Sequence, residues 1–137
     1  VLDSEMINLK VEKIKIYARQ LKTIQKGGKK KVCSDEILSA AMERFLQLAA
    51  ESVLDVGGHI ISSKGFKKPT TYQDIMPILA DEKIVTKKLM SSCKNLALIR
   101  NQLVHDIGEV DKEKIFDWAK ELIPALEDSV KVYQKQI

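Results

Sequence analysis

Apolar residues at Ile7, Val11, Ile14, Ala18 and Leu21 fall at alternating intervals of four and three, which lays one stripe along a helix from Ser4 to about Gln25. Leu9, Ile16 and Ile24 lie off that stripe and point to a second covered face, supplied by a partner chain. Gly27-Gly28 stops the helix, and Lys26-Gly27-Gly28-Lys29-Lys30-Lys31 follows as a flexible, strongly positive connector. Ser34 is placed to cap the next helix, with Asp35 and Glu36 in its first turn, where acidic side chains favour the helix dipole. Its apolar face runs through Leu38, Ala41, Met42, Phe45, Leu48, Ala49, Ser52 and Val56. Gly57-Gly58 should weaken or bend it, and Lys64 to Pro69 is a loop. Thr71 and Asp74 have the spacing of a capping box, opening a short helix with Ile75, Met76 and Leu79 inward and Pro77 interrupting it. Thr86 caps a helix carrying Leu89, Met90, Cys93, Leu96, Ala97 and Arg100 on one face and ending at Gly108. Asp111 caps the last helix, whose stripe is Ile115, Trp118, Ala119, Leu122, Leu126, Val130 and Tyr133, and which Pro124 should kink or split. No stretch alternates like a strand. The expected fold is an all-α bundle of four long helices and one short one, a single domain over residues 1–137.

Composition agrees with a packed domain. Of 137 residues, 45% are apolar and 31% charged, which excludes a disordered tail. The longest apolar run, Leu96-Ala97-Leu98-Ile99, is far short of the ~20 residues a membrane helix needs. The start, Val1-Leu2-Asp3-Ser4-Glu5, shows no basic stretch leading into an apolar one, so no signal peptide is expected here. Cys33 and Cys93 are the two cysteines and form no C-x-x-C pair. A disulfide framework or structural zinc is therefore not expected, and a reducing cytoplasm is the simplest compartment. The net charge of +4 is unevenly spread: residues 1–33 carry nine Lys/Arg against three Asp/Glu, whereas residues 101–137 carry five against eight. That polarity permits contact with a polyanion and equally suits two helices that attract each other. Twenty of the cations are Lys and three are Arg, namely Arg19, Arg44 and Arg100, so an Arg raises the question of what its planar fork does there.

Few residues could carry chemistry. Phosphate-loop, dinucleotide, H-E-x-x-H and calcium-loop patterns are missing from the sequence. Cys93 sits on an apolar stripe and reads as a buried thiol. His59 reads as an exposed or helix-end imidazole. The segment Arg100-Asn101-Gln102-Leu103-Val104-His105-Asp106 gathers a guanidinium, an amide, an imidazole and a carboxylate at one helix end. Asn101 and His105 are one turn apart on one face, close enough for the amide to orient the ring. Arg100 lies about 140° round the helix from His105, so the two can rim one groove. An imidazole that titrates near neutrality suits general acid–base work, and a fixed guanidinium suits a phosphate. Those are the parts needed to cut RNA without a metal: a base for the 2′-hydroxyl, a cation for the phosphorane, an acid for the leaving 5′-oxygen. The same residue types also make an ordinary helix-end ion pair.

Arg100-Asn101, three residues, then His105 resembles the signature of HEPN-domain ribonucleases, and its surroundings resemble the HepT-like toxins that pair with MntA-like minimal nucleotidyltransferases. The likeness covers roughly residues 3–134. It includes Ala40 to Gln47, Glu51 with Asp55-Val56-Gly57 and His59-Ile60-Ile61, Pro69-Thr70-Thr71-Tyr72, Ile99 to His105, and Val110-Asp111. It implies an antiparallel four-helix bundle that homodimerises and brings the Arg and His of two copies into one cleft. Arg100 would bind the scissile phosphate, His105 would act as acid and base, and Asn101 would support them, with no cofactor or metal. The activity implied is that of an endoribonuclease toxin of a type VII-like pair acting on tRNA or mRNA, drawn by Lys29, Lys30, Lys31, Lys67 and Lys68 and held by an MntA-like antitoxin. Glu51 and Asp55 read either as an acidic pair matched to nearby cations or as part of the cleft. One position departs: the family pattern continues His-x-Tyr, and some members are silenced by adenylylation of that Tyr, whereas this chain has Ile107, which offers no hydroxyl. A non-catalytic accessory or substrate-binding subunit of a nucleotidyltransferase is the alternative, and nucleotide binding without cleavage a third reading.

Overall fold

The apolar stripes become helices whose inner faces meet in one core. A computed structural model describes residues 2–105 and 110–137. Along them run α1 (Ser4–Gln25), α2 (Lys29–Ser34), α3 (Glu36–Lys64), a 3-10 turn (Tyr72–Asp74), α4 (Ile75–Asp81), α5 (Lys87–Ser92), α6 (Leu96–His105) and α7 (Lys112–Gln134). α3 is central: α1, α2, α4, α6 and α7 all pack on it, and α1 and α7 close against each other. The all-helical bundle expected from the sequence is what forms, but with more short helices than four long ones and one short. No helix among the described residues is long and apolar enough to cross a membrane.

Asp3 caps α1 by accepting from the Met6 N–H at 3.0 Å. The expected stripe of α1 is buried. Ile24 joins it in the core instead of facing a partner, while Leu9 and Ile16 stay exposed. The connector after Gly27-Gly28 is not a flexible run: Lys29 to Ser34 wind into α2, which anchors Val32 in the core. Asp35, not Ser34, caps α3, its carboxylate accepting from the Ile37 and Leu38 N–H groups at 2.9 and 3.0 Å. Ser34 ends α2, and its hydroxyl donates back to the Lys31 carbonyl. The excess of cations early in the chain and of anions late is used inside the molecule: Lys22 meets Glu127 at 2.7 Å and Lys29 meets Asp117 at 2.8 Å, joining α1 and α2 to α7.

α3 passes through Gly57-Gly58 unbroken. A Cβ on Gly57 would lie 2.7 Å from Ile75 Cγ2, 3.1 Å from Leu79 Cδ1 and 3.2 Å from the Tyr133 hydroxyl, so this glycine serves close approach rather than termination. The Tyr133 hydroxyl is buried beside it and donates to the Val53 carbonyl at 2.7 Å. Termination falls to Gly65, whose φ of 68° is the left-handed conformation of a helix C-cap; the Phe66 N–H then reaches back to the Ile61 carbonyl at 3.0 Å.

The helix expected from Thr86 onward is two. Thr86 caps α5, and after Ser91-Ser92, weak helix formers at its end, Cys93-Lys94-Asn95 form a turn before α6. The Cys93 N–H there is shared between the Leu89 and Met90 carbonyls. Leu89, Cys93, Leu96 and Ala97 nonetheless stay buried across the break. α7 is neither split nor stopped at Pro124, which points outward while Leu122, Ile123, Ala125 and Leu126 hold the helix to the core. Gly108, expected to end α6, lies outside the described residues.

Gly57→Ala should lower unfolding free energy by about 1–3 kcal/mol, because the Ile75 branch it meets cannot swing away. Gly58→Ala, whose Cβ meets only Ile75 Cδ1 at 3.7 Å, should leave stability unchanged or raise it by up to about 1 kcal/mol. Urea titration of the two variants checks the contrast, and equal losses would contradict it.

Candidate active site

α6 lies antiparallel along α3. Arg100 stands level with Glu51, and Ala97, a turn earlier, lines the same groove as Leu54 and Gly58. Gln47, Glu51 and Asp55 follow at intervals of four on α3 and so share one face. The two acids are matched to nearby cations, as one reading of the sequence expects: Asp55 meets Lys10 of α1 at 3.2 Å, and Glu51 meets Arg100.

Arg100 is held on three sides. Its Nε faces Glu51 Oε1 at 3.5 Å, Nη1 donates to Asn101 Oδ1 at 3.1 Å, and its guanidinium carbon lies 5.2 Å from the centre of the Tyr72 ring. Glu51 Oε1 is itself steadied by the Gln47 amide at 3.2 Å. Nε is buried and, among the described residues, makes no hydrogen bond. A lysine could meet the acid, but it could not also lay a flat face on the ring and turn an edge to the amide. A half-exposed ion pair contributes ~0.2–1 kcal/mol and a cation–π contact ~0.5–1 kcal/mol, so the cluster fixes orientation more than it stabilises the fold.

Tyr72 is in place because the capping box forms as expected. Asp74 Oδ2 accepts from the Thr70 and Thr71 N–H groups at 2.9 and 3.2 Å, pinning the turn that carries the ring. Glu51 is the acid that the sequence matched to a nearby cation, whereas Gln47 and Tyr72 are neighbours of this cluster that residue spacing does not connect to Arg100.

His105 ends α6 with its ring exposed, one turn beyond Asn101 on the same face. The expected orientation of this ring by Asn101 does not occur: the amide oxygen is engaged by Arg100, and no hydrogen bond joins Asn101 to His105 among the described residues. Asp106 and Ile107 lie outside those residues. The structure thus gathers Arg100 and Asn101 into one cluster and leaves His105 open at the helix tip.

The lysines divide. Lys29 is tied to Asp117, and that hydrogen bond raises its pKa above the ordinary lysine value. Lys30 and Lys31 are exposed on α2, ahead of α3; Lys67 and Lys68 are exposed beyond its other end. His59 is half-buried, not at a helix end, and its Nε2 accepts from the Asp3 N–H at 2.9 Å, tying the start of α1 to α3. Cys93 is buried, and burial pushes its thiol up to about 11. Among the described residues no three His, Cys, Asp or Glu side chains gather as a metal site would require.

The described residues thus form a helical bundle in which an Arg is braced by Glu, Asn and an aromatic ring, with an exposed His five residues further along the same helix. The chain belongs to the ribonuclease HepT-like family, whose model matches residues 14–133. YutE of Bacillus subtilis (strain 168) is 36% identical over 93 residues, covering 68% of this chain and 65% of YutE, so the match spans just under two thirds of that relative. The solved structure of YutE, described as a cytosolic protein of unknown function, superposes with a TM-score of 0.82 over 98% of this chain and 90% of that one, at 28% identity. A tRNA nuclease HepT from Aphanizomenon flos-aquae (strain 2012/KM1/D3) is 26% identical over 120 residues, covering 84% of this chain and 78% of the nuclease. The fold is also that of the Shewanella oneidensis HEPN toxin, solved tri-AMPylated and in complex with an MNT antitoxin: TM-score 0.84, 22% identity, 97% of this chain and 99% of that chain.

The environments of the two thiols give a chemical check on the site. At pH 8 in the native protein, iodoacetamide should modify the half-buried Cys33 slowly and leave Cys93 untouched until urea unfolds the chain. Mass spectrometry of the alkylated peptides reads this directly, and rapid native labelling of Cys93 would reopen the case for a nucleophile there.

Proposed function

We propose that this protein is a metal-independent endoribonuclease, the toxin of a toxin–antitoxin pair whose other member is an MntA-like nucleotidyltransferase. The observation that carries the proposal is the guanidinium of Arg100, braced by Glu51, Asn101 and Tyr72, on the same helix that ends in an exposed His105. In this reading Arg100 takes the non-bridging oxygens of the scissile phosphate, where its planar fork matches their geometry. Asn101 supports it. His105 takes the proton of the ribose 2′-hydroxyl; the 2′-oxygen bonds to phosphorus, the bond to the 5′-oxygen breaks, and an imidazolium protonates that leaving oxygen. Two such imidazoles are supplied when two copies meet, so the working unit is a homodimer. The substrate is tRNA or mRNA, and Lys30, Lys31, Lys67 and Lys68 carry its flanking phosphates, with Lys29 the least available of the set because Asp117 holds it. The nuclease names of the HepT relatives and the antitoxin in the Shewanella complex support this reading. The protein works in the cytoplasm.

Ile107 favours a second reading, in which the same assembly is a non-catalytic partner of the nucleotidyltransferase. If the first reading holds, an antitoxin must silence the toxin by association or at another hydroxyl, since an isoleucine cannot be adenylylated.

Purified protein should cut RNA in excess chelator. Arg100→Ala and His105→Ala should each lower the rate by about a hundredfold or more, with melting temperature and oligomeric state retained. Arg100→Lys should not restore activity, because an ammonium lacks the fork. Full activity in both alanine variants would overturn the site. Co-purification with a nucleotidyltransferase and no cleavage of any RNA would select the second reading.

A further inference from the structure

Beside Arg100 lies a groove that phosphate binding leaves unused. It encloses about 650 Å³ between α3, the 3-10 turn and the start of α6, within the ~300–1,000 Å³ typical of small-molecule sites. Its floor is apolar, made by Leu54, Gly58, Ile75 and Ala97, and its walls include Thr71, the exposed ring of Tyr72 and the amide of Asn101. The acid among them, Asp55, is matched by Lys10 at 3.2 Å. A groove so neutralised has little attraction for a phosphate. It suits a flat heterocycle with apolar faces and hydrogen-bonding edges.

Two side chains join this groove to the guanidinium. Asn101 lines it and accepts from Arg100 Nη1; Tyr72 lines it and lies against the guanidinium. A nucleobase is separated from its phosphate by one sugar, and the groove begins one side chain from the Arg100 cation. Resting on the reading of Arg100 as the phosphate-binding group, we propose that the groove is a base-specificity subsite that takes the nucleobase adjoining the scissile phosphate. Tyr72 is its stacking wall, Thr71 and Asn101 address the base edge, and the bare Cα of Gly58 leaves room for the ring. At Gly58 a Cβ would meet only Ile75 Cδ1, at 3.7 Å, so a longer side chain there extends into the groove instead of the core.

Amide NMR of the isotope-labelled wild-type protein, titrated with each mononucleotide and with inorganic phosphate alone, tests the site without reference to activity. Nucleotides, and not phosphate, should shift Gly58 and the stretch from Thr70 to Gln73 saturably, and more for one base than another. Cleavage of a degenerate RNA pool then tests its role. Gly58→Leu should lower the rate by at least about tenfold and flatten the base preference next to the cut, with Gly58→Ala intermediate, melting unchanged and molecular mass by light scattering unchanged. The proposal is overturned if nucleotides shift only what phosphate shifts, or if Gly58→Leu keeps the wild-type rate and preference. It is equally overturned if Gly58→Leu changes the oligomeric state, which would make the groove a seat for a second copy. If Gly58→Leu does not fold, the wild-type titration decides. A wild type that binds bases in the groove but cuts no RNA refutes the ribonuclease reading alone, and one that cuts RNA while the groove ignores bases refutes the subsite alone.

Discussion

A missing Cβ governs how this molecule is assembled. At Gly57, in the final turns of the central helix, Ile75 of α4 comes closer than a Cβ would permit, and Leu79 of α4 and Tyr133 of α7 would crowd one. α4 continues directly from the 3-10 turn, so seating Ile75 on α3 also fixes Tyr72, the ring against which the Arg100 guanidinium rests. The same contact makes Ile75 a wall of the groove. Close-packed interiors transmit displacement instead of absorbing it, so pushing α4 outward would carry the ring away from the cation. Core packing and site geometry are here one constraint, with its origin in a single residue.

Most of the fold was legible in the sequence because most of it is amphipathic. The stripe of α1, the capping box before α4, and the caps at Thr86 and Asp111 follow from local spacing and local hydrogen bonding, and they form as expected. The misreadings share a cause. Pro124 looks able to split its helix when only local propensity is weighed, but α7 stays continuous because the proline faces outward on a helix held by its buried side. α3 likewise runs on through Gly57-Gly58, where one glycine admits a neighbouring helix. The lysine connector was misjudged in the opposite sense, since Val32 gives α2 an anchor that charge alone conceals. Within the site, Arg100, Asn101 and His105 are visible as a cluster along one helix, whereas Glu51 and Tyr72 come from elements distant in sequence. No spacing rule links residues 51, 72 and 100; only the antiparallel packing of α6 on α3 does.

Electrostatics divides the molecule along similar lines. The polarity between the basic first third and the acidic last third left two readings open, a polyanion partner or mutual attraction of helices. The ion pairs Lys22–Glu127 and Lys29–Asp117 show that part of it is internal. Exposed pairs of this kind contribute little stability individually, but they withdraw Lys29 from the charge available to a ligand. Lys30 and Lys31 lie before the start of α3 and Lys67 and Lys68 beyond its end, while on α3 itself Asp55 is matched by Lys10 and Glu51 by Arg100.

Glu51 gives the surroundings of Arg100 their chemical character. If Arg100 binds a phosphate as proposed, a carboxylate beside it competes with that phosphate, so its presence requires a compensating benefit. The geometry supplies one: Glu51 faces Nε from behind, while Asn101 engages Nη1 from the side. An unbraced arginine would lose rotamer entropy on meeting its ligand, whereas one already fixed by an acid, an amide and a ring loses less. In the reading proposed for Arg100, a fork oriented in advance suits the charge that develops on a phosphorane, which is the differential binding that catalysis needs.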